Sequence, residues 1–423
     1  MRLRLISACV MSLALALGCV NVFPIGAPSR DGGEIGDAGD GLLLDGGTFG
    51  DWAASIGLPG CPDGSVIVVD TVEDELDAGV DFATLTTRAG AGAHLSLREA
   101  LWLARNTAGP KSIVFDEQVF PARAPGVMTI SSSDWPWNVP EVCLDGRSRG
   151  VIIRWEGCFS PVGCVWSLDS KSRMLGLTLE KIPQAINLSG QVAASRLSGG
   201  GRLLNLQGSA VVGPGVIFGP CQVALQAESP TSSVKGSYFG LDPLTKRGLA
   251  IQVDMYLFEA IDVRDSEFHS VTYLVTDGPT QQSPSSLTRN TYEDATVLAY
   301  GGQWFFANNR VRGTTTIHTM APGTLQLSRN SIAGQTTISS PVPPPTLLGY
   351  SNGTVTGFCP LAGQVEVFSD LGSLGETFVG EKACAADAGF SVDVQVAAGL
   401  NITATLSVSA QGSSGFSTPL TVQ

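Results

Sequence analysis

The chain has 423 residues and a formal net charge of −13, from 38 acidic and 25 basic side chains. This length allows more than one domain, and the acidic balance excludes the basic surface that binding to nucleic acid or to an anionic membrane requires. Thirteen of the acidic residues lie between positions 31 and 81, where there is no Lys or Arg, so the rest of the chain is close to neutral.

The N-terminus has the pattern of an export signal. Arg2 and Arg4 precede an apolar run over residues 5–17, which ends in Ala16-Leu17-Gly18-Cys19. This pattern predicts a signal peptide over residues 1–18 and lipid attachment at Cys19, with ordinary cleavage just before the cysteine as the alternative. The run is too short to span a bilayer, so no transmembrane helix is expected. In lipoprotein sorting, an Asp directly after the lipidated cysteine resembles a signal for retention in the inner membrane. This chain has Val20 at that position, so we expect it in the outer membrane or at the cell surface.

Residues 19–60 are rich in Gly and Asp and poor in residues that form a core. Such a segment buries too little apolar surface to fold, so we interpret it as a solvated tether. Calcium binding is the alternative, but the segment has neither a complete EF-hand loop nor a regular Gly-rich nonapeptide, and we predict no metal site. The aspartates concerned are Asp31, Asp37, Asp40 and Asp45.

A short amphipathic helix is predicted from Ser96 to about Asn106, within an N-terminal module over residues 61–152. Ser96-Leu97-Arg98-Glu99 is a capping box, in which the Ser96 hydroxyl accepts from the Glu99 backbone and the Glu99 carboxylate reaches back. Apolar residues then recur at helical spacing, and Arg98, Glu99 and Arg105 are expected to face away from them. Because the first rung of a β solenoid exposes core and unpaired backbone, the helix is predicted to cover that end. The apolar residues are Leu97, Ala100, Leu101 and Ala104.

A repeat over residues 153–345 predicts the fold class. An apolar residue, two others, a small or amide residue, one more and a second apolar residue recur about every 22 residues, within the range of solenoids. The central positions are Leu177, Ser195, Gly215, Ser237, Ser266, Asn290, Asn309 and Asn330. The flanking apolar pairs include Val234 and Phe239, Val263 and Phe268, Leu287 and Tyr292, Phe306 and Val311, and Leu327 and Ile332.

The spacing within the unit requires a bend. Residues five apart in one unbroken strand would point to opposite faces. Asn, Ser and Gly turn a corner at low cost, because Gly and Asn accept the left-handed conformation and Ser or Asn can bond the local backbone. Strand, bend and strand with both apolar residues inward is one coil of a β-helix, and a string of β-sandwich turns is the alternative. Asn290, Asn309 and Asn330 are predicted to stack as an amide ladder.

The sequence changes character after a proline-rich junction, which ends the repeat. Short alternating segments separated by Gly, Asp and Ser turns predict a small β-sandwich over residues 346–423. Its expected role is to cap the far end of the solenoid or to act as a spacer. The junction contains Pro341, Pro343, Pro344 and Pro345.

Segments in three parts of the chain, before the repeats, within them and after them, resemble one family. Residues 66–76, then Leu95-Ser96-Leu97-Arg98-Glu99-Ala100, then Ile113-Val114-Phe115-Asp116 resemble the CSLREA-type N-terminal module of exported bacterial parallel β-helix proteins, with Leu95 in the place of the usual Cys. The loop over residues 234–249 is similar to one common in their repeats, and residues 363–370 and 401–405 resemble the Ig-like module that often closes them. The resemblance implies an all-β fold, a right-handed parallel β-helix followed by an Ig-like sandwich, at the cell surface.

Cysteine usage indicates an oxidising compartment. Apart from Cys9 and Cys19 the chain has seven cysteines, so at least one thiol is odd. The candidate disulfides are Cys158 with Cys164 and Cys359 with Cys384, which leaves Cys61, Cys143 and Cys221. Zinc binding is not expected, because there is no Cys-x-x-Cys and His94, His269 and His318 are far apart in sequence.

Nothing in the sequence predicts a catalytic residue. Two Gly-x-Ser-x-Gly matches occur, at residues 146–150 and 349–353, but each is followed by a predicted strand rather than by the helix of a nucleophile elbow. β-Helices that this chain resembles include polysaccharide lyases and hydrolases, which need carboxylates and a base along one outer face. The most plausible such group is Asp242, Lys246, Asp262, Arg264 and Asp265. We interpret these residues instead as exposed, solvated loop charges, because the Asn-Thr-Asp, Gly-His-Gly and Arg-Ile-Lys signatures of polygalacturonase-like chains are absent.

The function predicted from the sequence is that of a lipid-anchored surface protein with a binding or structural role. Its partners would be the membrane, through the lipid, and a polysaccharide or envelope proteins along the solenoid face. No cofactor, no nucleic acid and a monomer are expected. The alternative is a pectate-lyase-like carbohydrate-active enzyme that acts on an acidic polysaccharide.

Overall fold

The computed structural model describes residues 48–75, 81, 84–87, 93–131, 138–156, 166–257, 261–270, 274–276, 284–300, 302–320, 323–372 and 374–423. The signal peptide, Cys19, the four aspartates of the calcium alternative and the Cys158–Cys164 pair lie outside these residues. Within them, residues up to 339 form a parallel β-helix, and residues 346–423 form two antiparallel sheets.

The β-helix has three faces of parallel strands, stacked coil upon coil. The first face contains Ser65–Val69, Lys111–Phe115, Val142–Asp145, Arg173–Leu175, Gln191–Ala193, Val211–Val212, Ser233–Lys235, Asp262–Arg264, Ser285–Thr288, Gln303–Ala307 and Thr324–Ser328. The second face contains Gly126–Ile130, Val151–Trp155, Thr178–Glu180, Arg196–Leu197, Ile217–Phe218, Tyr238–Phe239, Glu267–His269, Thr291–Glu293, Arg310–Arg312 and Ser331–Ile332. The third face contains Ser167–Leu168, Ile186–Leu188, Arg202–Leu206, Cys221–Ala227, Ile251–Leu257 and Leu274–Thr276, and continues as a separate sheet of Thr296–Tyr300, Thr314–Met320 and Gln335–Ser339.

The predicted coil is confirmed, and the β-sandwich alternative for the repeats is wrong. Val234 lies on the first face and pairs with Val212 and Val263, while Phe239 lies on the second face and pairs with Phe218 and Phe268. All of these side chains are buried. On the second face the rings of residues 218, 239, 268 and 292 stack at centroid distances of 4.6, 4.7 and 4.8 Å, so the core is a continuous column of aromatic contacts.

The ladder forms at the bend between the first and second faces. Asn290, Asn309 and Asn330 are buried, and each side-chain oxygen accepts from the backbone of the preceding coil. Their amide groups donate to backbone carbonyls, and Asn309 also donates to the Asn330 side chain at 3.0 Å. The stacking is therefore confirmed, and most of its hydrogen bonds join a side chain to the backbone rather than to another side chain.

The left-handed residue of this bend is not the one predicted. Residues 265, 289, 308 and 329 have φ of 54°, 55°, 55° and 49°, and each precedes a ladder residue. The ladder residue itself keeps an ordinary conformation, because its side chain must point inward to reach the next coil. Asn and Ser are thus required here for their hydrogen bonds, and only at Gly215 does the ladder position itself have positive φ, 77°.

The predicted helix, α2 (Leu97–Asn106), covers the N-terminal end. An additional helix, α1 (Phe49–Ser55), precedes it in the chain. In α2 the capping box is complete, since Ser96 and Glu99 bond each other's backbone N–H groups at 3.2 and 3.0 Å. Apolar residues of α2 join the core that Ile113 and Val69 begin.

The expectation that Arg98 and Glu99 face away from the core is wrong, because both are buried. Arg98 pairs with Asp74 at 2.6 Å, and both side chains are 6% exposed. A buried cation needs such a partner, and Asp74 comes from the segment that follows the first strand, Ser65–Val69. The geometry fits a capping module, and its membership of the CSLREA type stays a prediction.

Part of the predicted tether is folded. Residues 48–60 contain α1, whose N-cap Thr48 forms a capping box with Asp51. The helix lies against the solenoid, where Trp52 contacts Tyr238 at 6.4 Å between ring centroids. A disulfide between Cys61 and Cys143 then holds the segment to the first face. The tether prediction was wrong for these residues because the Trp52 ring, the Phe49 ring beneath the Arg196 guanidinium and one disulfide supply the contacts that their Gly-rich sequence lacks.

The C-terminal sheets form a small sandwich. One sheet contains Thr346–Ser351, Thr354–Cys359 and Ala388–Asp393, and the other contains Gly363–Asp370, Thr377–Cys384, Asn401–Val408, Gly412–Ser413 and Leu420–Thr421. Buried residues of both sheets share one core, and a disulfide joins Cys359 to Cys384. The Ig-like assignment stays a prediction.

This sandwich covers the last rung of the solenoid. The Leu327 N–H donates to the Ser413 hydroxyl at 2.8 Å, and the Arg329 N–H donates to the Glu366 carboxylate at 2.8 Å. Ser328 also donates to Glu366, at 2.9 Å. These groups are the edge that a further coil would otherwise pair, so the sandwich replaces the missing coil.

Candidate functional site on the first face

The outer surface of the first face has one row of side chains that runs across the coils. Because side chains alternate along a strand, the neighbours of the buried residues point outward, and pairing in register stacks them about 4.8 Å apart. We call this set the outer row. It consists of Arg173, Gln191, Val211, Ser233, Asp262, Ser286, Phe305 and Gln326, which are exposed or half-buried.

A cleft of about 480 Å³ lies at the N-terminal end of the outer row. Arg173, Gln191 and Val211 form part of its floor, and Pro62 and Pro110 contribute to its wall. The Ser112 hydroxyl donates to the Pro62 carbonyl at 3.3 Å, next to the disulfide at Cys61. The wall is therefore built by a segment distant in sequence from the floor. The remaining lining residues are Glu141, Ser170, Lys171, Ser172, Gly190 and Ser209.

Two cations face this cleft. Lys171 is 68% exposed and forms an ion pair with Glu141 of the preceding coil, and the hydrogen bond to this carboxylate raises the pKa of Lys171. The Arg173 guanidinium has a long contact, 3.4 Å, to the Gly60 carbonyl. The cleft therefore combines positive charge with the hydroxyl and amide groups of Ser170, Ser209 and Gln191.

Farther along the row, the charges are arranged in pairs. Asp262 lies 3.5 Å from Arg264, and Asp265 accepts two hydrogen bonds from Arg289, at 2.7 and 2.9 Å. The Arg289 guanidinium lowers the pKa of Asp265. A general acid needs a raised carboxyl pKa, so this pairing opposes that role for Asp265.

The structure divides the predicted carboxylate group between two surfaces. Asp262, Arg264 and Asp265 lie on the first face or its corner, whereas Asp242 and Lys246 lie in the loop after the second-face strand Tyr238–Phe239. The expectation that Asp242 is exposed is wrong. It is 3% exposed, pairs with Arg196, and accepts from the Leu244 backbone at 2.9 Å, so its role is to close its own loop.

The sequence analysis missed a histidine site on the second face. His269 lies between two carboxylates, with Nε2 3.4 Å from Glu267 and Nδ1 3.3 Å from Glu293 of the next coil. The hydrogen bond to His269 lowers the pKa of Glu267, whereas burial and the Glu267 charge raise the pKa of Tyr238 on the preceding coil. The sequence signal is weak: Glu293 follows His269 by 24 residues, near one repeat, but the coils differ in length, so this spacing alone does not place the two side by side.

This histidine site is not a metal site. The two carboxylates bind opposite nitrogens of the ring, so they cannot converge with it on one ion. Across the described residues, no three His, Cys, Asp or Glu side chains are grouped to hold a metal ion.

The two Gly-x-Ser-x-Gly matches are turns followed by strands. Ser148 has φ of 60° and its N–H donates to the Gly50 carbonyl at 3.2 Å, and the strand Val151–Trp155 follows. The second match lies in the hairpin of Thr346–Ser351 and Thr354–Cys359. Neither has the strand–turn–helix geometry of a nucleophile elbow.

Of the helices in the described residues, none is long and apolar enough to cross a membrane. Comparison with known proteins adds little to the geometry. No protein-family model matches the chain, and no match was found among curated proteins. Among solved structures the chain is similar to an alginate lyase from Paenibacillus sp. str. FPU-7, with a TM-score of 0.28 and 10% identity, over 64% of this chain and 99% of that chain. A likeness at this level carries no information about activity or substrate.

Proposed function

We propose that this protein is a non-catalytic glycan-binding protein of the cell surface, which holds a polysaccharide along its first face. The observation that carries the proposal is the outer row, a register of outward side chains on a parallel sheet, six of them polar and two, Val211 and Phe305, apolar. A ligand made of repeating units fits such a surface, because each coil presents one contact at nearly constant spacing.

An aromatic side chain supports this proposal. Phe305 belongs to the outer row and is 40% exposed, next to Ser286 and Gln326 in register. An exposed aromatic ring among hydroxyl and amide groups suits the face of a sugar ring, which has apolar C–H groups and polar edges.

The pairing of the carboxylates supports a non-catalytic role. Asp242, Asp262 and Asp265 each have a basic partner, and burial makes Asp242 inaccessible to a polymer. A lyase or hydrolase that used this group would need one of its carboxylates poised for proton transfer at the polymer, and all three are engaged in ion pairs.

The test is retention of the full-length chain on a panel of neutral and acidic polysaccharides, with new chain ends measured in parallel. We expect retention without cleavage, and Phe305→Ser should weaken it. Leu348→Ser is the matched control, because Leu348 is 68% exposed on the C-terminal sandwich, away from the row. Retention on no polymer would contradict the proposal and favour an envelope protein as the partner.

We also propose export to the outer membrane with lipid at Cys19, on the basis of the N-terminal sequence. Fatty-acid labelling of the expressed protein is expected, and Cys19→Ala should abolish the label and release the protein from membranes. Labelling that persists in this variant would contradict the anchor.

A carbohydrate-active enzyme is the second candidate, and His269 is the observation that favours it. A half-buried imidazole between two carboxylates, one coil from Tyr238, is an arrangement that can move protons. New chain ends that disappear with His269→Gln would favour this function over binding alone.

A further inference from the structure

The cleft at residues 171–173 differs from the rest of the outer row in its charge. Resting on the proposed glycan-binding function, we infer that this cleft binds the carboxylate groups of an anionic polysaccharide. Arg173 and Lys171 would pair with the carboxylate, and Gln191 and Ser209 would bond the neighbouring hydroxyls.

Hydrogen bonds of Asp169 order the turn that carries Lys171 and leads to Arg173. The Asp169 carboxylate accepts from the Lys171 N–H at 3.1 Å, the Ser172 hydroxyl at 2.7 Å and the Glu141 N–H at 3.2 Å. These bonds fix the turn of one coil to the preceding coil and satisfy Asp169, which does not line the cleft. Because these bonds order the backbone of the turn, little backbone entropy remains to be lost when a ligand binds, and the remaining cost is that of ordering the Lys171 and Arg173 side chains.

Arg173 is the stronger of the two anchors. It projects from the floor, in register with Gln191, and its contact to the Gly60 carbonyl is long. A guanidinium can bind a carboxylate through two parallel hydrogen bonds, which also orients the sugar. Neutral and methyl-esterified sugars have no carboxylate with which to form this pair of hydrogen bonds.

The Glu141 carboxylate competes with a ligand carboxylate for Lys171. Its carboxylate occupies Lys171 in the unliganded protein, and an incoming uronate carboxylate must displace it. Removal of the Glu141 charge should therefore strengthen binding, an effect that damage to the fold could not produce. A matched pair exists at another corner, where Lys181 lies 3.4 Å from Glu156 and both side chains are about half exposed.

The experiment measures binding of the full-length chain to polygalacturonate and to its fully methyl-esterified form. We expect tighter binding to the acid form, with affinity that falls as salt is raised. Arg173→Gln should weaken it about tenfold, the loss of one charge-assisted contact. Glu141→Gln should tighten it several-fold, whereas Lys181→Gln and Glu156→Gln should leave it unchanged. Equal thermal midpoints for all variants are the check on folding.

Each outcome separates the inference from the proposed function. Equal binding of both polymers, unaffected at Arg173 and Glu141, would overturn the carboxylate site and leave glycan binding intact. Equal losses from Arg173→Gln and Lys181→Gln would also overturn it, because they would indicate general charge attraction. Binding of neither of these polymers nor of any other polysaccharide would overturn both.

Discussion

Replacement of Asn309 tests the physical basis of the ladder. Its side-chain oxygen accepts from the Asn290 N–H at 2.8 Å, and its amide group donates to the Leu287 carbonyl at 2.8 Å and to the Asn330 side chain at 3.0 Å. Asn309→Ala leaves a buried N–H without a partner, which costs about 1–3 kcal/mol, and removes donated bonds worth about 1 kcal/mol each. We expect the free energy of unfolding to fall by about 3–5 kcal/mol, the sum of these contributions.

Serine at the same position provides a graded comparison. Ser266 occupies the equivalent place in an earlier coil, where its hydroxyl accepts from the Ser237 N–H at 3.2 Å and donates to the Arg264 carbonyl at 3.0 Å. Asn309→Ser should therefore keep the acceptor that the Asn290 N–H needs. It loses the bonds to Leu287 and Asn330 and gains one to the carbonyl of residue 307, so its net cost should be about 1 kcal/mol.

The assay is urea denaturation of each variant with the m-value compared. The control is Asn308→Gly, because Asn308 is exposed with φ of 55°, a conformation that Gly accepts. We expect this control to stay within about 1 kcal/mol of the unmodified protein. A loss for Asn309→Ala below that of the control, or a loss for Asn309→Ser equal to that for Ala, would refute the hydrogen-bond explanation.

Three further predictions concern the two ends of the solenoid and the disulfide that holds residues 48–61 against it. Ser96→Ala should lower stability by about 1 kcal/mol, and an unchanged urea midpoint would count against the cap. Joint replacement of Cys61 and Cys143 by Ser opens a loop of 82 residues and should cost about 4.5 kcal/mol in the chain-entropy model, so an unchanged thermal midpoint would contradict a stabilising role for this disulfide. Burial raises the pKa of Glu366, so the folded state binds the proton of this carboxyl more readily than the unfolded state does. The contribution of Glu366 to the free energy of unfolding is therefore present at low pH and is lost as the pH rises through the raised pKa. Glu366→Gln should therefore flatten the decline of the thermal midpoint as pH rises above about 4, near the ordinary pKa of Glu, and an identical pH profile would contradict the burial argument.

The repeating core was predictable because each coil obeys a local rule. Every coil needs an inward residue before the bend, an inward residue after it and a hydrogen-bonding residue between them, whatever lies on the outer surface. Their identities follow from burial and from backbone groups that must be satisfied. The capping box at Ser96 was readable for the same reason, since its two partners are three residues apart.

The outer surface could not be predicted in the same way. Successive ladder residues are separated by as few as 18 and as many as 29 positions, because turns of different length connect the faces. The outward neighbours across coils therefore depend on the register that the stacked backbone adopts. The pairs of His269 with Glu293 and of Arg98 with Asp74 appear only once that register is formed.

The β-helix, its inward pairs and its amide ladder follow from the order of the amino acids, because these features repeat and each is enforced by burial within a single coil. Only the folded chain shows that residues 48–61 lie on the solenoid, that Asp242 is buried and that Pro62 helps to form a cleft with Arg173. Those contacts join segments far apart in sequence, and water tolerates almost any polar residue at an outward position, so no local pattern records them.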